Sequence, residues 1–370
     1  MTMQSPLQSI HQELEATFTD FAGFHMPLQY SSLKEEHMTV RKTVGIFDVS
    51  HMSNVWITGK DAEKLISLTT IEDASRIPDK KSQYTSILRE NGTIIDDTIF
   101  MHLGDRYMMI PNAGMATTVT EWLNTQAKAY KLKAQAEDVS HLYAILAVQG
   151  PKSRDVLQQL TQTDLTTVPF FGCQEITLAD VNCIISHTGY TGELGFELTI
   201  TPSENACSVF KKILEAGASF DIKPVGLGAR DTLRLEKCFL LASNEFEGGR
   251  TPLEAVMSWA IFWDHEFIGK EALMQQKQVG DYQRLTCLVC KEKAIPRHGS
   301  VIQHEGKPVG VVTSGTLSPC LNKGICMGYI HPDYRQKGME LDILVRGKTV
   351  KAEVVKPPFV PKDWVQQANL

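Results

Sequence analysis

The chain has 370 residues, enough for two or three domains, and its net charge of −6 argues against a general nucleic-acid binder. Apolar residues make up 42% of the chain and charged residues 22%, which is ordinary for a soluble globular protein. No apolar run approaches the roughly 18 residues that span a membrane, and the first residues lack the basic and apolar regions of a secretory signal.

The first predicted element is a helix over residues 7–16. Ser5 is expected to be its N-cap, and Gln8 to complete a capping box with it. Residues 20–27 then break the helical pattern, partly through Gly23, and are predicted to form a loop.

Helices and strands alternate through the following hundred residues. A second amphipathic helix is predicted over residues 31–43, with Gly45 ending it. Residues 45–59 are strand-like and lead into another helix. Three strand-like runs then fall within residues 82–111, separated by tight Asn-Gly and Gly-Asp turns that predict hairpins.

A similar alternation runs from residue 142 to about residue 245. It predicts a strand, a helix, two strands around a glycine-rich turn, and helices over residues 203–216 and 228–238. The last ninety residues contain short strands and frequent Gly and Pro turns, which predict a separate small β-barrel or sandwich.

Charge is unevenly distributed between these parts. Residues 281–370 carry a net charge of +5, so the remainder carries −11. Two interpretations stay open: a basic module that docks an acidic partner or an anionic ligand, or chance asymmetry on a solvated surface.

Eight cysteines are scattered without the spacing of a disulfide framework. Cys287 and Cys290 form one CxxC within a predicted strand. Residues three apart on a strand face opposite sides, so these two thiols are poorly placed to chelate a metal. Buried free thiols in a reducing compartment are the favoured interpretation.

Asp96 and Asp97 lie in a predicted strand of apolar residues. Adjacent strand residues point to opposite faces, so at least one carboxylate is expected on a covered side, where an unpaired charge is costly. Such carboxylates often have perturbed pKa values and catalytic roles. The alternative is that both are paired with arginines or backbone donors.

The segment from Gly189 to Glu197 carries three glycines at three-residue spacing. It lacks the order of a dinucleotide-binding loop, and a strand rather than a helix follows. A tight hairpin that lets a ligand approach the backbone is the better interpretation. Tyr190 then offers a stacking face, and Glu197 a bidentate acceptor.

Arg230 and Arg234 lie one turn apart on a predicted helix, with Asp231 between them. They form either a structural ion-pair ladder or a clamp for an anionic ligand. Among the histidines, His25, His37 and His51 hold notable positions, but none has metal-ligand spacing.

Eleven collinear segments extend from about residue 5 to residue 364. They are SPLQSIH, DFAGFHMPLQY, VGIFDVSHM, NGTIIDD, VQGPKS, HTGYTGELGFEL, GLGARDTLRLE, TPLEA, FIGKEAL, VGVVTSGTLSP and VVKPPFVP. In this order they resemble the glycine cleavage T-protein family. Each segment alone is weak evidence for this resemblance, whereas the ordered set is highly specific for the family.

The resemblance implies an α+β fold of three domains in a cloverleaf. Two related α+β domains would interleave over residues 1–278, and a C-terminal β-barrel would span residues 279–370. The implied activity is that of an aminomethyltransferase. It would move the methylene of an aminomethyl group from the lipoylated H protein to tetrahydrofolate, the co-substrate, and release ammonia. No metal, nucleic acid or membrane is implied, and the expected location is the cytoplasm of a bacterium or, for a processed eukaryotic form, the mitochondrial matrix.

The resemblance also implies roles for individual residues. Asp97 matches the family's essential aspartate. Glu197 matches the carboxylate that holds the amide and amino edge of the pterin, and Arg230 matches the arginine near the carboxylate end of folate. The other matches to positions that line or close the site are Tyr84, Asn112, Tyr190 and Trp364.

The chain departs from the family pattern at several positions. Phe24 replaces a usual Trp, His187 a usual Arg, and Ala242-Ser243 a usual Tyr-Gly pair. Hydroxyl-bearing aromatics are replaced at Phe170, Phe171 and Phe239. Two alternatives therefore stay open: another tetrahydrofolate-dependent demethylase or one-carbon transferase, or a non-catalytic folate-binding regulator. Such regulators usually carry a Lys-Gly-Cys motif, which this chain lacks.

Overall fold

A computed structural model describes residues 2–362 and residue 364. The N-terminal elements are β1 (Met3–Gln4), α1 (Gln8–Glu13), β2 (Thr17–Phe21), β3 (Phe24–Gln29) and α2 (Leu33–Lys42). The prediction of a loop over residues 20–27 was wrong, because β2 and β3 form a hairpin within a three-stranded sheet. Its turn at Ala22 and Gly23 adopts positive φ angles of 47° and 85°.

Ser5 does not cap the first helix, which begins at Gln8 without a side-chain cap. Its hydroxyl instead donates a hydrogen bond to buried Asp48 and accepts one from the backbone N–H of Leu7. The predicted capping box was therefore wrong: the Ser5 hydroxyl accepts from the N–H of Leu7, ahead of the helix, while it donates to Asp48. Helix α2 does begin with a serine N-cap, since the Ser32 hydroxyl accepts from the N–H of Glu35 at 3.2 Å.

The next part of the chain forms a five-stranded antiparallel sheet in the order β6-β7-β8-β5-β9. The elements from here are β4 (Gly45–Asp48), β5 (Val55–Thr58), α3 (Ala62–Thr69), β6 (Ser82–Leu88), β7 (Ile94–Leu103), β8 (Arg106–Ile110), α4 (Ala116–Ala129) and β9 (Gln135–Asp138). Apolar residues of α3 and α4 pack on one face of this sheet. The three strands predicted within residues 82–111 are confirmed.

A second sheet has the order β11-β12-β13-β10-β4-β14. The elements of this part are β10 (Ala144–Gln149), α5 (Ser153–Gln158), β11 (Cys173–Leu178), β12 (Val181–Ser186), β13 (Gly195–Ile200), α6 (Ala206–Gly217), β14 (Lys223–Pro224), α7 (Leu227–Glu236), α8 (Ala242–Glu245) and α9 (Lys270–Val279). Strand β4 pairs with β10 and β14, although the whole five-stranded sheet separates it from β10 in sequence. The two α+β parts are therefore interleaved, as the resemblance implied.

Six strands close into a barrel at the C-terminal end, in the order β15-β18-β17-β16-β19-β20. They are β15 (Arg284–Cys290), β16 (Val301–His304), β17 (Lys307–Leu317), β18 (Gly324–Ile330), β19 (Glu340–Val345) and β20 (Lys348–Val355). Cys290 belongs to the apolar core of the barrel, whereas Cys287 packs outward against Leu235 of α7. The opposite facing of the CxxC thiols is thus confirmed.

The predicted domain boundary after residue 278 falls at the end of α9 and stays a prediction. Among the described residues, no helix combines the length and the apolar character that crossing a membrane requires.

A buried group of polar residues, here called the Arg41 cluster, joins these parts. Arg41 Nη2 of α2 donates to Glu236 Oε2 of α7 at 2.9 Å, and His37 Nε2 lies 3.1 Å from the same oxygen. The hydroxyl of Ser318, which directly follows β17, and the N–H of Cys320 both donate to Glu236 Oε1. Two helices of the interleaved body and one barrel loop therefore converge on a single carboxylate.

His37, Glu236 and Cys320 bring possible metal-ligand atoms within 4.8 Å of one another, which their sequence spacing did not reveal. Both Glu236 oxygens already accept hydrogen bonds, and the Arg41 guanidinium places a positive charge beside them. The arrangement is that of a structural ion-pair cluster.

Glu236 should make stability depend on pH below about 4.5. Burial raises the pKa of Glu236, but His37 and Arg41 outweigh it and lower the pKa to about 2. A depressed carboxyl pKa stabilises the fold above the unfolded pKa and loses that effect as pH falls towards 2. We expect Glu236→Gln to cost about 3–5 kcal/mol at pH 7, because it removes the fully buried counter-charge of Arg41 and leaves only Glu193, which is 2.8 Å from Arg41 and partly exposed.

The measurement is urea unfolding of both proteins at several pH values. The stability gap between wild type and variant should shrink as pH falls from 5 towards 2.5. Glu175→Gln, which removes one partner of an exposed pair with Arg106, is the matched control and should show little gap throughout. A gap for Glu236→Gln that stays constant over this range would contradict the assignment.

Candidate active site

A cavity of about 1880 Å³ lies where the two sheets and the barrel meet. Its walls include Asp96 and Asp97 of β7, Glu197 of β13, Arg230 of α7 and Thr286 of β15. Small-molecule pockets are usually about 300–1,000 Å³. This cavity therefore has room for two reactants at once.

Asp96 and Asp97 converge on one residue, Asn112. Ile99 of β7 pairs with Ile110 of β8, so Asn112 lies beside Asp97 just beyond the end of β8. The Asn112 backbone N–H donates to Asp96 Oδ2 at 2.9 Å, and its side-chain nitrogen lies 2.8 Å from both Asp96 Oδ1 and Asp97 Oδ1. The hydroxyl of Tyr84 donates to Asp97 Oδ2 at 2.7 Å.

The expectation that at least one of the two carboxylates lies on a covered side is borne out, since Asp96 is 0% and Asp97 9% exposed. The strand does alternate, but one amide at the end of the neighbouring strand reaches both carboxyl groups. Both residues also line the cavity. The alternative of pairing with arginines or backbone donors holds for Asp96 alone, which accepts from the N–H of Asn112. Asp97 instead accepts from the side chains of Tyr84 and Asn112. No arginine forms an ion pair with either carboxyl among residues 2–362 and residue 364.

This pair has the electrostatics of an acid–base site. Burial raises the pKa of Asp97, while hydrogen bonds from Tyr84 and Asn112 act in the opposite direction. Burial and the neighbouring charge of Asp97 raise the pKa of Asp96. Two close carboxyl groups in a covered site resist double ionisation, so the pair favours a state that holds one proton.

Glu197 also faces the cavity, and the hydroxyl of Thr188 donates to its Oε2 at 2.5 Å. The glycines nearby let the protein's own side chains come close to the backbone. A Cβ at Gly189 would lie 2.0 Å from the Gln149 side chain, and one at Gly192 would lie 2.4 Å from Lys237. Gly189 also lines the cavity, and the approach of a ligand to the backbone there stays a prediction.

The two arginines of α7 have different surroundings. Arg234 is buried and paired, with Asp231 at 2.8 Å and Glu245 at 3.2 Å. Arg230 lines the cavity, stacks 4.7 Å from the ring centre of Tyr190, and forms no ion pair with any described residue. The ion-pair interpretation therefore holds for Arg234, whereas a role for Arg230 in binding an anionic ligand stays a prediction. Burial lowers the pKa of Arg230.

Six of the seven residues assigned to the site line this one cavity, and Trp364 does not. The six are Tyr84, Asp97, Asn112, Tyr190, Glu197 and Arg230. Trp364 is half-buried, and its backbone N–H donates to the carbonyl of Pro361. Among the positions that depart from the family pattern, Phe170, Phe171, Phe239, Ala242 and Ser243 line the cavity, whereas Phe24 and His187 do not.

Two cavity residues had no role assigned from the sequence. His51 is 3% exposed, its Nδ1 has no hydrogen-bond partner among the described residues, and burial followed by the charge of Arg230 lowers its pKa to about 3. It is therefore a neutral imidazole. Trp259 is 72% exposed and stacks on Tyr84 with ring centres 5.9 Å apart. No local pattern marks Trp259, because its contact with Tyr84 comes from a distant segment.

The GCVT N-terminal domain model matches residues 7–265, and the glycine cleavage T-protein C-terminal barrel domain model matches residues 283–361. The chain belongs to the glycine cleavage T-protein family. Curated family members from Halothermothrix orenii and Alkaliphilus metalliredigens, each named aminomethyltransferase, are 39% identical to it. The matches cover 96% and 98% of this chain, and 99% and 98% of those relatives.

The family fold extends over the whole chain. A crystal structure of the glycine cleavage system aminomethyltransferase T from Bartonella henselae matches with a TM-score of 0.90 at 31% identity. The match covers 97% of this chain and 98% of that one. The three-part architecture implied by the sequence is thereby confirmed.

Replacing the two arginines of α7 should separate a ligand-binding charge from a structural one. We expect Arg234→Met to destabilise the fold by about 3–5 kcal/mol, because Glu245 would be left buried without its partner. Arg230→Met should change stability by less than about 1 kcal/mol, since it removes a cation with no ion pair and one contact to Tyr190. Urea unfolding of both variants measures this, and equal losses would refute the distinction.

Proposed function

We propose that this chain transfers the methylene of an aminomethyl group, carried on the lipoyl arm of H protein, to tetrahydrofolate. The products are ammonia, 5,10-methylenetetrahydrofolate and dihydrolipoyl H protein. The observation that carries the proposal is that Asn112 donates hydrogen bonds to both Asp96 and Asp97 in the wall of a cavity shared by three parts of the fold. Family membership and the names of the full-length relatives support it.

The cavity residues fit a reduced folate. The flat pterin ring presents a donor edge that one carboxylate can accept bidentately. In Glu197, Oε1 is not bound by Thr188, and Oε2, which accepts from Thr188, has a second lone pair. Tyr84 and Tyr190 supply aromatic walls. Arg230 supplies a cation for the glutamate end, because no carboxylate of the described chain pairs with it.

The reaction supplies its own electrophile, since loss of ammonia leaves an activated methylene on sulfur that the folate nitrogens capture. The protein positions the reactants, excludes water and manages one proton. We assign the transfer of this proton to Asp97, whose carboxylate is held in place by Tyr84 and Asn112. Ionised Asp97 can accept a proton from a folate nitrogen or stabilise a developing cation. Asp96 holds the complementary proton and keeps the pair from double ionisation.

Asp97→Asn should reduce transfer by about 10²–10⁴-fold while folate still binds. The substitution removes the acid–base group but keeps the shape of the site. Asp96→Asn should reduce the rate less, because Asp96 is 0% exposed and acts on the proton through Asp97. Turnover with calorimetric folate affinity measures both effects, and a loss of folate binding in Asp97→Asn equal to its loss of turnover would contradict the assignment.

Turnover with lipoylated H protein from the same organism tests the function itself. Aminomethyl H protein and tetrahydrofolate should yield ammonia and 5,10-methylenetetrahydrofolate. A methylated sulfur or nitrogen donor that is used in preference would favour the one-carbon transferase alternative. Folate binding without transfer from any carrier would favour the regulator.

The barrel supplies a basic surface for an acidic carrier. The candidates for steering residues in this basic segment are Lys291, Lys293, Arg297, Arg335 and Lys337. Lys291 pairs with Glu340, whereas Arg297, Arg335 and Lys337 line the cavity. We propose that the last three face the incoming lipoyl arm and its carrier.

Steering by exposed charge acts on association and is screened by salt over a Debye length of about 8 Å at physiological ionic strength. Turnover with H protein should therefore fall steeply as salt rises from about 50 to 500 mM. Turnover with free dihydrolipoate, in the reverse direction with methylenetetrahydrofolate and ammonia, should fall much less because it needs no docking. Parallel salt profiles would reject docking by the barrel.

A further inference from the structure

Two cysteines meet across the junction between the interleaved body and the barrel. The Sγ of Cys238, which follows α7, lies 3.4 Å from the Sγ of Cys287 on β15. Both residues line the central cavity. They are 49 residues apart in sequence, so the contact is made by docking of the barrel and not by a local turn.

We propose that Cys238 and Cys287 are an oxidative modification site, where a hydroperoxide converts the two thiols into a disulfide. A disulfide needs about 2.05 Å between the sulfurs. The present separation is therefore closed by a shift of about 1.4 Å, within the reach of side-chain rotation. All eight cysteines are free in the structure, which is the reduced state that precedes this modification.

The backbone around Cys238 fixes the position of its thiol. Its φ angle is +60°, a left-handed conformation that costs an L-residue with a side chain of order 1 kcal/mol or more. This conformation ends α7 at a position where glycine is the usual choice. The N–H of Cys238 donates to the carbonyl of Leu235, and the N–H of Phe239 donates to the carbonyl of Arg234, so the thiol is carried by a hydrogen-bonded helix end.

The surroundings determine the order of events. Cys238 is partly exposed on the cavity side, whereas Cys287 is 7% exposed. The hydrogen bond with Cys238, followed by burial, raises the pKa of Cys287. Cys238 is therefore the thiol that a peroxide reaches first, and Cys287 is the thiol that resolves the product.

The chemistry balances in two steps. The Cys238 sulfur attacks the terminal oxygen of the hydroperoxide, the O–O bond breaks, and an alcohol or water leaves with the thiol proton, giving a sulfenic acid. The Cys287 sulfur then attacks the Cys238 sulfur, the S–O bond breaks, and the hydroxyl leaves as water with the Cys287 proton. Two electrons pass from the two thiols to the peroxide. A dithiol reverses the reaction by thiol–disulfide exchange.

The disulfide would change the shape of the cavity wall. Lys237 and Phe239, on either side of Cys238, both line it, and Phe239 stacks on Tyr190 with ring centres 5.8 Å apart. Drawing Cys238 towards β15 shifts these neighbours and ties the end of α7 covalently to the barrel. Oxidation should therefore lower turnover reversibly.

The experiment uses the reduced full-length protein treated with hydrogen peroxide. Free thiols are counted, and non-reduced peptides are identified by mass spectrometry. Wild type should lose two thiols and yield a peptide cross-linked between Cys238 and Cys287, with both changes reversed by dithiothreitol. Cys290→Ser, on the same strand but facing the barrel core, is the matched control and should behave like wild type.

The single variants test the order of events and the effect on the cavity. Cys287→Ser should accumulate a dimedone-reactive sulfenic acid at Cys238, and Cys238→Ser should resist both cross-linking and peroxide inactivation. Oxidation without the cross-linked peptide, or a cross-link between other cysteines, would overturn the proposal. Cross-linking is read without any assay of transfer, so its outcome is separate from that of the proposed function.

Discussion

The Arg41 cluster is the interaction on which the rest of the structure depends. Arg41 and Glu236 are 1% and 0% exposed, so their charges have lost most of their hydration. They are stabilised by each other, by Glu193 at 2.8 Å from Arg41, and by the donors around Glu236. Because Ser318 belongs to a barrel loop, the same carboxylate also fixes the barrel against α2 and α7. The cavity lies between these parts, and its width depends on this docking.

Helix α7 connects this anchor to the site. Glu236 at its C-terminal end belongs to the anchor, Arg234 is held by Glu245, and Arg230 faces the cavity without a counter-ion in the described chain. A helix fixed by its buried partners can hold an unpaired charge in a set position, so that the cost of positioning it is met during folding. Asp96 and Asp97 are buried in the same way, so the cost of placing their carboxyl groups in the site is also met during folding.

Much of the fold could be predicted from the sequence, because many of the patterns that determine helices, strands and turns are local. The strands within residues 82–111 follow from alternation and tight turns, and the barrel follows from short strands in a Gly- and Pro-rich segment. The hairpin at residues 20–27 was missed because Gly23 was interpreted as a break, whereas it forms the turn. Ser5 was misassigned because its partner, Asp48, lies 43 residues away.

The sequence predicted which residues line the site, but it did not predict how they are arranged. Asp97, Glu197 and Arg230 were found from motifs and a resemblance, and they do share one cavity. That Asn112 joins both aspartates required knowledge of the strand register. Which of two arginines one turn apart is paired depends on Glu245, which comes from a separate short helix. Contacts of this kind are set by the tertiary fold and leave no local pattern.

The interleaved order of the strands also has a consequence for a chain emerging from the ribosome. Strand β4 is complete at residue 48, but its neighbour β10 is made nearly one hundred residues later, and β14 later still. At about 5–20 residues per second, β4 waits roughly 5–20 s for its first partner. The whole five-stranded sheet, whose strands are continuous in sequence, is synthesised within that interval. A nascent chain that ends between residues 138 and 144 therefore holds two complete sheets, the N-terminal three-stranded one and the five-stranded one. It also holds one orphan strand, whose four buried residues have no partner until synthesis reaches β10.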